Sequence, residues 1–346
     1  MKKAPTVKEI IEIIEKIAPP DIALPGDPVG LQCGQPDRPV ARLMLALDAT
    51  LETVAQATEC KADLLVTHHP LLFEPLTPKN IHGPDGRAFT RAILEELAVY
   101  TAHTNLDASP QGINVSLADM LDLRRRVFLQ EGGQQPFKVV VFVPHEDLRR
   151  VQTAAFNAGA GRIGNYSGCS FATEGTGSFH PEAGASPVIG KTGRSETVPE
   201  VRLEVTVPSG ALAAVLSEVR RVHPYEEPAV DVYPLAAGNN STGLGIVGDL
   251  PQRSTVGRIV ERVVSTLKAG SVRLVGKKGI RVGKVAVCAG SGASLIDSAA
   301  AAGAQLYITG DVRYHDARRA EEKGIGLLDV GHFAPESYGV RKFGEL

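Results

Sequence analysis

The stretch Val66-Thr-His-His-Pro-Leu71 places two adjacent histidines directly after an apolar run, Asp63-Leu-Leu-Val66, that predicts a short buried strand. Neighbouring side chains inside a strand point to opposite faces. At a strand's carboxyl end, where the chain turns out, both imidazoles can face one crevice. Pro70 favours extended geometry at the preceding His69. Two interpretations stay open at this point: a pair of metal ligands, or two polar residues on an exposed loop.

The composition is that of a globular protein, with 346 residues, 43% of them hydrophobic and 22% charged, enough for about two or three domains. A formal net charge of −2 gives no electrostatic reason to expect nucleic acid or an anionic membrane as a partner. No apolar run reaches the roughly 18 residues of a transmembrane helix, and the amino terminus lacks the apolar stretch of a signal peptide. Four scattered cysteines without a C-x-x-C pair indicate a reducing cytoplasm, and leave histidine and carboxylate to hold any metal.

Strands alternate with helices in the first segment. Thr6 and Glu9 form a capping-box pattern at the start of a helix that Pro19-Pro20 stops. A structured loop is predicted at 24–34. The predicted strands are 42–48, 64–66 and 99–103, and the predicted helices that follow them are 51–60, 88–97 and 114–121. This alternation indicates βαβ units on a largely parallel sheet, and so an α/β fold.

A different pattern fills residues 135–235. Strand 137–143 and helix 146–158 precede a tract, 159–193, that is too rich in glycine and proline for long regular elements. Strand 200–207, helix 211–222 and strand 229–233 follow. This is the order of a ferredoxin-like α+β module. Because the α/β pattern then resumes, we expect a domain at 135–235 inserted into an α/β domain formed by 1–134 and 236–346.

The last segment ends on a polar cluster with definite local geometry. Helix 255–267, strand 284–288, helix 293–302, strand 306–309 and strand 326–330 are predicted, and Gly331-His-Phe-Ala-Pro-Glu336 follows the last strand. Pro335 favours a helix that starts right after His332. Glu336 then lies in the first turn, where the helix dipole favours a carboxylate. Both side chains can address one point, although ordinary helix capping is the favoured explanation when they are taken alone.

Polar side chains thus collect at the carboxyl ends of separate predicted strands, where ligands bind in parallel sheets. They are His68, His69, Asp107, His332 and Glu336. Three imidazoles and two carboxylates suit zinc, iron(II) or manganese. Five ligands exceed the needs of one catalytic ion with an open position. They suit two ions bridged by a carboxylate, which lower the pKa of bound water and assist a hydrolytic displacement.

These motifs resemble the Nif-three-like family, whose members are often labelled GTP cyclohydrolase type-two homologues. The flanking segments contribute Asp27-Pro-Val-Gly-Leu-Gln32, Thr67-His-His-Pro-Leu71, His103-Thr-Asn-Leu-Asp107, Thr309-Gly-Asp-Val-Arg-Tyr-His315 and Gly331-His-Phe-Ala-Pro-Glu336. The insert of the longer bacterial branch, which is similar to PII and CutA folds, is matched by Phe156-Asn-Ala-Gly-Ala-Gly-Arg-Ile-Gly-Asn-Tyr166, Cys169-Ser-Phe171, Gly175-Thr-Gly177 and His223-Pro-Tyr-Glu-Glu-Pro228.

The resemblance implies a dinuclear metal site between two similar α/β halves. It assigns His68 and Asp107 to one ion and His69 and His332 to the other, with Glu336 bridging. It also implies a homo-oligomer, a toroidal hexamer. Family members usually continue with a longer helix and another strand, whereas this sequence stops at Leu346, so a final helix that is short or incompletely packed is expected.

Four further features have two interpretations each. Gly159-Ala-Gly-Arg-Ile-Gly164 fits G-x-G-x-x-G but follows a predicted helix, which argues against a dinucleotide site. Cys288-Ala-Gly-Ser-Gly292 is either an anion-binding loop or a tight βα turn. For His223 a structural role is favoured over metal binding. His103 and His315 are candidate proton shuttles, although solvation on a helix surface explains His315 equally well.

The sequence therefore predicts a cytoplasmic metal-dependent hydrolase that acts through metal-activated water on a small phosphate-bearing or nucleotide-like substrate. The cofactors are two divalent ions per chain, and neither a membrane nor a nucleic acid is expected as a partner. A first alternative is a non-enzymatic regulatory scaffold whose PII-like insert senses a small ligand. A second alternative is a metal chaperone.

Overall fold

The computed structural model describes residues 4–132, 136–164, 166–235 and 242–346. The chain divides into two compact units. Unit 1 comprises Met1–Gly133 and Asn239–Leu346, and unit 2 comprises Gln134–Gly238. Within the described ranges, no helix is long and apolar enough to span a membrane.

Helices and strands alternate through most of unit 1. Its first segment contains α1 (Val7–Ile17), β1 (Gly30–Cys33), β2 (Leu43–Ala46), α2 (Leu51–Glu59), β3 (Leu64–Thr67), α3 (Pro84–Leu94), β4 (Ala98–Thr101), α4 (Thr104–Ala108), α5 (Ile113–Met120) and β5 (Arg124–Glu131). Unit 2 contains β6 (Phe137–Val143), α6 (Leu148–Asn157), β7 (Ser170–Phe179), β8 (Glu196–Val207), α7 (Leu212–Val222) and β9 (Val230–Pro234). The second segment of unit 1 contains β10 (Gly243–Thr255), α8 (Val256–Leu267), β11 (Arg273–Val275), β12 (Arg281–Val287), α9 (Ile296–Ala301), β13 (Leu306–Thr309), α10 (Tyr314–Glu322), β14 (Gly326–Asp329) and α11 (Phe333–Phe343).

The first sheet of unit 1 has the strand order β1-β4-β3-β2. β2, β3 and β4 are parallel, and the register Ala46↔Thr67↔Thr101 brings their carboxyl ends level. The segments after these strands therefore leave the sheet at one edge. β1 pairs with β4 in the antiparallel direction and lies where the sequence predicted a loop.

The second sheet has the order β11-β14-β13-β12-β10-β5. Its three central strands, β12, β13 and β14, are parallel. β10 pairs antiparallel with β12 and β5, and β11 pairs antiparallel with β14. The prediction of a largely parallel sheet thus holds for β2, β3 and β4 and for β12, β13 and β14, but it is wrong for the antiparallel strands β1, β5, β10 and β11. β5 has only a short apolar run, Val127-Phe-Leu129, after three arginines, which is a weak strand pattern.

One hydrophobic core joins the two sheets of unit 1. It includes Leu64 and Tyr100 from the first sheet and Val287 and Ile308 from the second. Helices α5 and α11 contribute to this core and pack closely, since a Cβ on Gly339 of α11 would lie 2.5 Å from a methyl group of Ile113. This core fixes the carboxyl ends of both sets of parallel strands relative to each other.

Unit 2 has β-α-β-β-α-β connectivity and a four-stranded antiparallel sheet of order β7-β8-β6-β9, a ferredoxin-like arrangement. Its core joins the sheet to α6 and α7 through residues such as Val139, Leu203, Val151 and Val215. β7 lies inside the glycine-rich tract predicted to lack long elements, and that prediction is wrong. β7 pairs with β8 from Ser170↔Val205 to Phe179↔Glu196, so backbone pairing defines it instead of a buried apolar pattern.

The chain leaves and re-enters unit 1 on adjacent strands. Glu131 at the end of β5 pairs with Gly243 at the start of β10, and the Gly132 amide donates to the Thr242 carbonyl at 2.9 Å. In unit 2, Phe137 at the start of β6 pairs with Pro234 at the end of β9. The insertion is therefore bounded by a strand pair in each unit.

Candidate metal centre

Four imidazoles meet at the carboxyl ends of the parallel strands of unit 1. His68 and His69 follow β3, His103 follows β4, and His332 is the N-cap residue of α11, which follows β14. The ring centroid of His69 lies 5.0 Å from that of His68, 5.6 Å from that of His103 and 5.4 Å from that of His332. The two sheets thus contribute side chains to one cluster.

Glu336 occupies the centre of this cluster. Its Oε1 lies 3.0 Å from Nε2 of His332 and 3.8 Å from Nε2 of His68, and its Oε2 lies 3.2 Å from Nε2 of His69. Asp107 approaches from α4, with Oδ1 3.8 Å from Nε2 of His68. The structure therefore brings together all five residues predicted as ligands.

The helix that carries Glu336 begins where the sequence predicted but differs in detail. Phe333 is its first residue, so Pro335 occupies the third helical position instead of the first. α11 then continues for 11 residues to Phe343, longer than the short final helix that was expected. The i,i+4 spacing of His332 and Glu336 places both side chains on one face.

Two of the imidazoles are oriented by carboxylates on the side away from the centre. Nδ1 of His69 lies 2.7 Å from Oδ1 of Asp48, and Nδ1 of His332 lies 2.7 Å from Oδ2 of Asp311. A carboxylate on Nδ1 fixes the ring orientation and leaves Nε2 unprotonated when a metal binds there. Asp48 follows β2 and Asp311 follows β13, so equivalent strand ends contribute these two partners.

The other two imidazoles also have their Nδ1 atoms engaged. Nδ1 of His68 lies 2.9 Å from the carbonyl oxygen of Ala102. Nδ1 of His103 lies 2.7 Å from Oδ1 of Asp27, whose other oxygen accepts from the amide of Thr104 at 3.0 Å. All four rings are therefore fixed through Nδ1, which leaves Nε2 as the ligand atom.

Several buried polar atoms in the cluster lack hydrogen bonds. Within the described chain, Nε2 of His68, Oδ1 of Asp107 and Oε2 of Glu336 are buried and have no hydrogen-bond partner. Buried polar atoms are otherwise almost always paired. Ligand atoms also lie within 4.8 Å of one another in two sets, His68 with His69 and His103, and His69 with His332 and Glu336. Nitrogen and oxygen donors of this kind fit a divalent metal.

The electrostatics of the cluster reflect the same convergence of charges. Glu336 and then Asp311 raise the pKa of His332 to about 9 against the opposing effect of burial. Burial by itself raises the pKa of Glu336, but His332, His68 and His69 together hold it well below its usual range. Burial raises the pKa of Asp107. Glu336 and the imidazoles around it thus favour one another's charged forms.

Because Gly290, after β12, has no side chain, the Glu336 carboxylate can occupy the space beside it. A Cβ at this position would lie 2.3 Å from Oε1 of Glu336. The neighbouring amides bond within the protein, since Ala289 donates to Oδ1 of Asn114 at 2.8 Å and Gly292 donates to Oγ1 of Thr309 at 3.0 Å. These contacts favour the tight-turn interpretation of Cys288–Gly292 over an anion site.

The remaining histidines singled out in the sequence have other environments. His315 is exposed on α10, and its ring packs edge-on against Tyr314. His223 is buried in unit 2, where its Nδ1 accepts from the Tyr225 amide at 3.1 Å and its Nε2 bonds the Phe142 carbonyl at 3.0 Å. Both ring nitrogens of His223 are used within the fold, which is a structural role.

Asp48, Asp311, Asn114 and Gly290 were not predicted to take part in the cluster. Asp48 is the last residue of predicted strand 42–48 and Asp311 follows predicted strand 306–309 by two residues, which is the signal that could have identified them. Asn114 and Gly290 carry no such signal, because only the packing of the two sheets brings them to the site.

Comparison with known proteins agrees with this architecture. The sequence matches the family described as Duf34/NIF3 (NGG1p interacting factor 3) over residues 5–346. A Bacillus subtilis protein named GTP cyclohydrolase 1 type 2 homolog is 39% identical over 96% of this chain and 90% of its own length. A Mycobacterium tuberculosis protein of the same name is also 39% identical, over 95% and 87%.

Solved structures extend the comparison to the fold. A Bacillus cereus protein related to NIF3 superposes with a TM-score of 0.66 at 39% identity, covering 99% of this chain and 93% of that protein. Staphylococcus aureus protein SA1388 superposes with a TM-score of 0.69 at 26% identity, covering 96% and 88%. Sequence and fold agree along nearly the whole chain, and the protein belongs to the DUF34/NIF3 family.

Proposed function

We propose that the chain is a hydrolase that depends on two divalent metal ions, zinc, iron or manganese. The observation that carries this proposal is the pair of buried ligand atoms, Nε2 of His68 and Oδ1 of Asp107, that have no hydrogen-bond partner among the described residues and lie 3.8 Å apart. Leaving such atoms unpaired costs about 1–3 kcal/mol each. A bound cation would offset that cost, whereas an apolar group in the same space would not.

Ligands for two ions are available. His68 and Asp107 would hold one ion and His69 and His332 the other. Glu336 would bridge, because its Oε1 lies 3.8 Å from Nε2 of His68 and its Oε2 lies 3.2 Å from Nε2 of His69, and these two imidazoles are assigned to different ions. Two such ions supply Lewis-acid activation of a substrate oxygen and of water. The His332 side chain is 37% exposed, so the cluster opens to solvent and a substrate can approach it there.

His103 is the residue best placed to move a proton. Its ring lies 5.2 Å from that of His68, centroid to centroid, and Asp27 holds its Nδ1. A histidine oriented by a carboxylate is a common general acid–base arrangement. His315, the other candidate, is exposed, and its one ring contact within the described ranges is with Tyr314, so we assign it no role.

The substrate class follows from analogy and is part of the proposal. Relatives carry the name GTP cyclohydrolase 1 type 2 homolog, which supports a small nucleotide-like or phosphate-bearing molecule. We also propose a cytoplasmic hexamer with a PII- or CutA-like unit 2, as the sequence resemblance implies. Light scattering tests the assembly, for which six chains of 36.6 kDa each are expected.

Metal analysis and a hydrolysis screen test the function together. Protein purified without chelators is expected to contain about two ions per chain, as a two-metal site requires, and to lose most of them in His69→Ala and Glu336→Ala. His315→Ala removes an exposed imidazole outside the cluster and is the matched control. The screen covers nucleotides, phosphoesters and cyclic amides, and His332→Ala is expected to abolish any turnover.

Two results would contradict the proposal. Zero or one ion per chain in the unmodified protein excludes the dinuclear site. Two ions without turnover across the panel exclude the hydrolase for these substrate classes but leave the metal centre in place.

A further inference from the structure

In the described residues of unit 2, both helices pack on one face of the sheet. Val141, Val201 and Leu203 pack against α6 and α7, so the alternating residues Phe142 and Glu200 project to the other side. A cavity of about 390 Å³ lies against this second face. It is within the size range of small-molecule sites, about 300–1,000 Å³.

Two segments close the cavity. Residues 181–189, between β7 and β8, form one wall, and Tyr225, Glu226 and Glu227, after α7, form another. The amide of Ser186 donates to Oε2 of Glu226 at 3.0 Å and ties the two walls together. The sequence motifs Gly175-Thr-Gly177 and His223-Pro-Tyr-Glu-Glu-Pro228, which play no part in the metal centre, both contribute to this site.

The lining is apolar and acidic. Its apolar side chains include Phe142, Phe179, Val188 and Ile189. Its ionisable groups are three carboxylates and one phenol, Glu200, Glu226, Glu227 and Tyr225, with no lysine, arginine or histidine among the lining residues. Arg202, whose guanidinium lies 5.5 Å from the Phe142 ring centroid, is paired with Glu204 at 2.9 Å and does not line the cavity.

The interior of the cavity carries an unused polar group. The hydroxyl of Tyr225 is buried and has no hydrogen-bond partner within the described part of the chain. Burial and the adjacent Glu200 carboxylate raise the pKa of Tyr225. Glu200 is itself packed against Gly177, where a Cβ would lie 2.0 Å from Oε2. A phenol oxygen and a carboxylate are thus held side by side against an apolar wall.

These groups do not suit a metal ion. Among the described residues, sets of three ligand atoms close enough for one ion occur only at the His68–Glu336 cluster. Aromatic rings together with carboxylates instead recognise an organic ammonium group, through cation–π and ionic contacts.

We propose that unit 2 binds a small organic ammonium compound with an apolar body, in the cavity between Phe142, Glu200 and Tyr225. The ammonium group pairs with Glu200 and Tyr225, and the apolar body lies against Phe142, Val188 and Ile189. This proposal is independent of the metal centre.

Calorimetric titration of the full chain tests the proposal with three probes that share one hydrocarbon frame. They are 2-phenylethylammonium, neutral 2-phenylethanol and anionic phenylacetate. The cation is expected to bind at least about tenfold more tightly than the alcohol, since charge pairing in a partly desolvated site is worth that factor. Phenylacetate is expected not to bind.

Variants locate the binding. Glu200→Gln keeps the shape of the side chain and is expected to weaken cation binding about tenfold, whereas Glu146→Gln, an exposed residue of unit 2, leaves binding unchanged. Tyr225→Phe removes the hydroxyl that lies beside Glu200 and is expected to reduce affinity several-fold. This variant keeps the test valid if circular dichroism shows Glu200→Gln to be unfolded. His69→Ala, in the metal centre, leaves binding unchanged. Absence of cation binding, equal binding of the alcohol, or full affinity in both Glu200→Gln and Tyr225→Phe overturns the proposal.

Discussion

Contacts with neighbouring residues determine the position and the charge of the Glu336 carboxylate. Three imidazoles approach its two oxygens, and the side chain is only 4% exposed. A buried carboxylate is costly unless it is paired, so small displacements of this group affect the whole cluster. Gly290 is the residue that sets how close the backbone comes to it.

Gly290→Ala is expected to displace the Glu336 carboxylate. The added Cβ would lie 2.3 Å from Oε1, and overpacking of this kind costs about 1–3 kcal/mol. We expect fewer bound ions per chain and a lower unfolding temperature, measured by metal analysis and calorimetry. Gly324→Ala is the control, because Gly324 has a similar φ, +70° against +60°, but open space around it. Equal metal loss in both variants would show that backbone strain, not the carboxylate, is responsible.

The sequence predicted the five residues that meet in the cluster but not the residues that orient them. Local spacing groups His68 with His69 and His332 with Glu336, and the position of each pair after a predicted strand brings the pairs together. The pairing of Asp48 with His69 and of Asp311 with His332 joins side chains that follow different strands. Such contacts depend on strand order and register, which a single sequence does not specify.

Helix α5 is the element that links the two sheets at the cluster. Its Asn114 is fully buried. The side-chain amide donates to the Asp107 carbonyl at 3.0 Å, and Oδ1 accepts from the Ala289 amide at 2.8 Å. One side chain thus connects the segment after β4 with the segment after β12, and so positions Asp107 relative to Gly290.

Asn114→Ala is expected to destabilise unit 1 by about 1–3 kcal/mol, because a buried amide and a buried carbonyl lose their partner. Chemical denaturation followed by circular dichroism measures this change, and metal affinity should fall with it. Gln56→Ala on α2 removes an exposed side-chain amide and serves as the control. An Asn114→Ala protein as stable as the Gln56→Ala protein would contradict the role given to α5.

Strands with a pattern of buried apolar side chains could be predicted from the sequence. Strands that depend mainly on backbone hydrogen bonds to a neighbouring strand could not. β13 and β6 match their predicted residues, 306–309 and 137–143, because consecutive or alternating apolar side chains are buried there. β7 is exposed along most of its length and contains two glycines. Its existence depends on β8 as a partner, and that partner lies 17 residues further along the chain.

The whole molecule is organised around the two strand pairs that bound the insertion. In unit 1, Glu131 pairs with Gly243, and in unit 2, Phe137 pairs with Pro234. Each unit has its own hydrophobic core. All residues of the candidate metal centre belong to unit 1, and all residues of the acidic cavity belong to unit 2.

Replacing residues 134–238 by a hairpin turn of a few glycine-containing residues is expected to leave unit 1 folded. The facing ends of β5 and β10 are already at hairpin distance, as the 2.9 Å bond between Gly132 and Thr242 shows. Metal content per chain should match that of the full protein, and binding of 2-phenylethylammonium should be lost. Loss of the folded state in this shortened chain would show that unit 1 requires unit 2.

The strand pairs have a consequence for the order in which the molecule can form. His68 and His69 precede the insertion and His332 and Glu336 follow it, so the cluster closes only when both segments of unit 1 meet. With unit 2 unfolded, this meeting closes a flexible loop of about 100 residues, at an entropic cost of roughly 4 kcal/mol. Once unit 2 is folded, its own ends are adjacent, so most of the entropic cost of loop closure belongs to the folding of unit 2. The folding of unit 2 thereby favours the meeting of the two segments of unit 1, and with it the closure of the candidate metal centre, through loop-closure entropy.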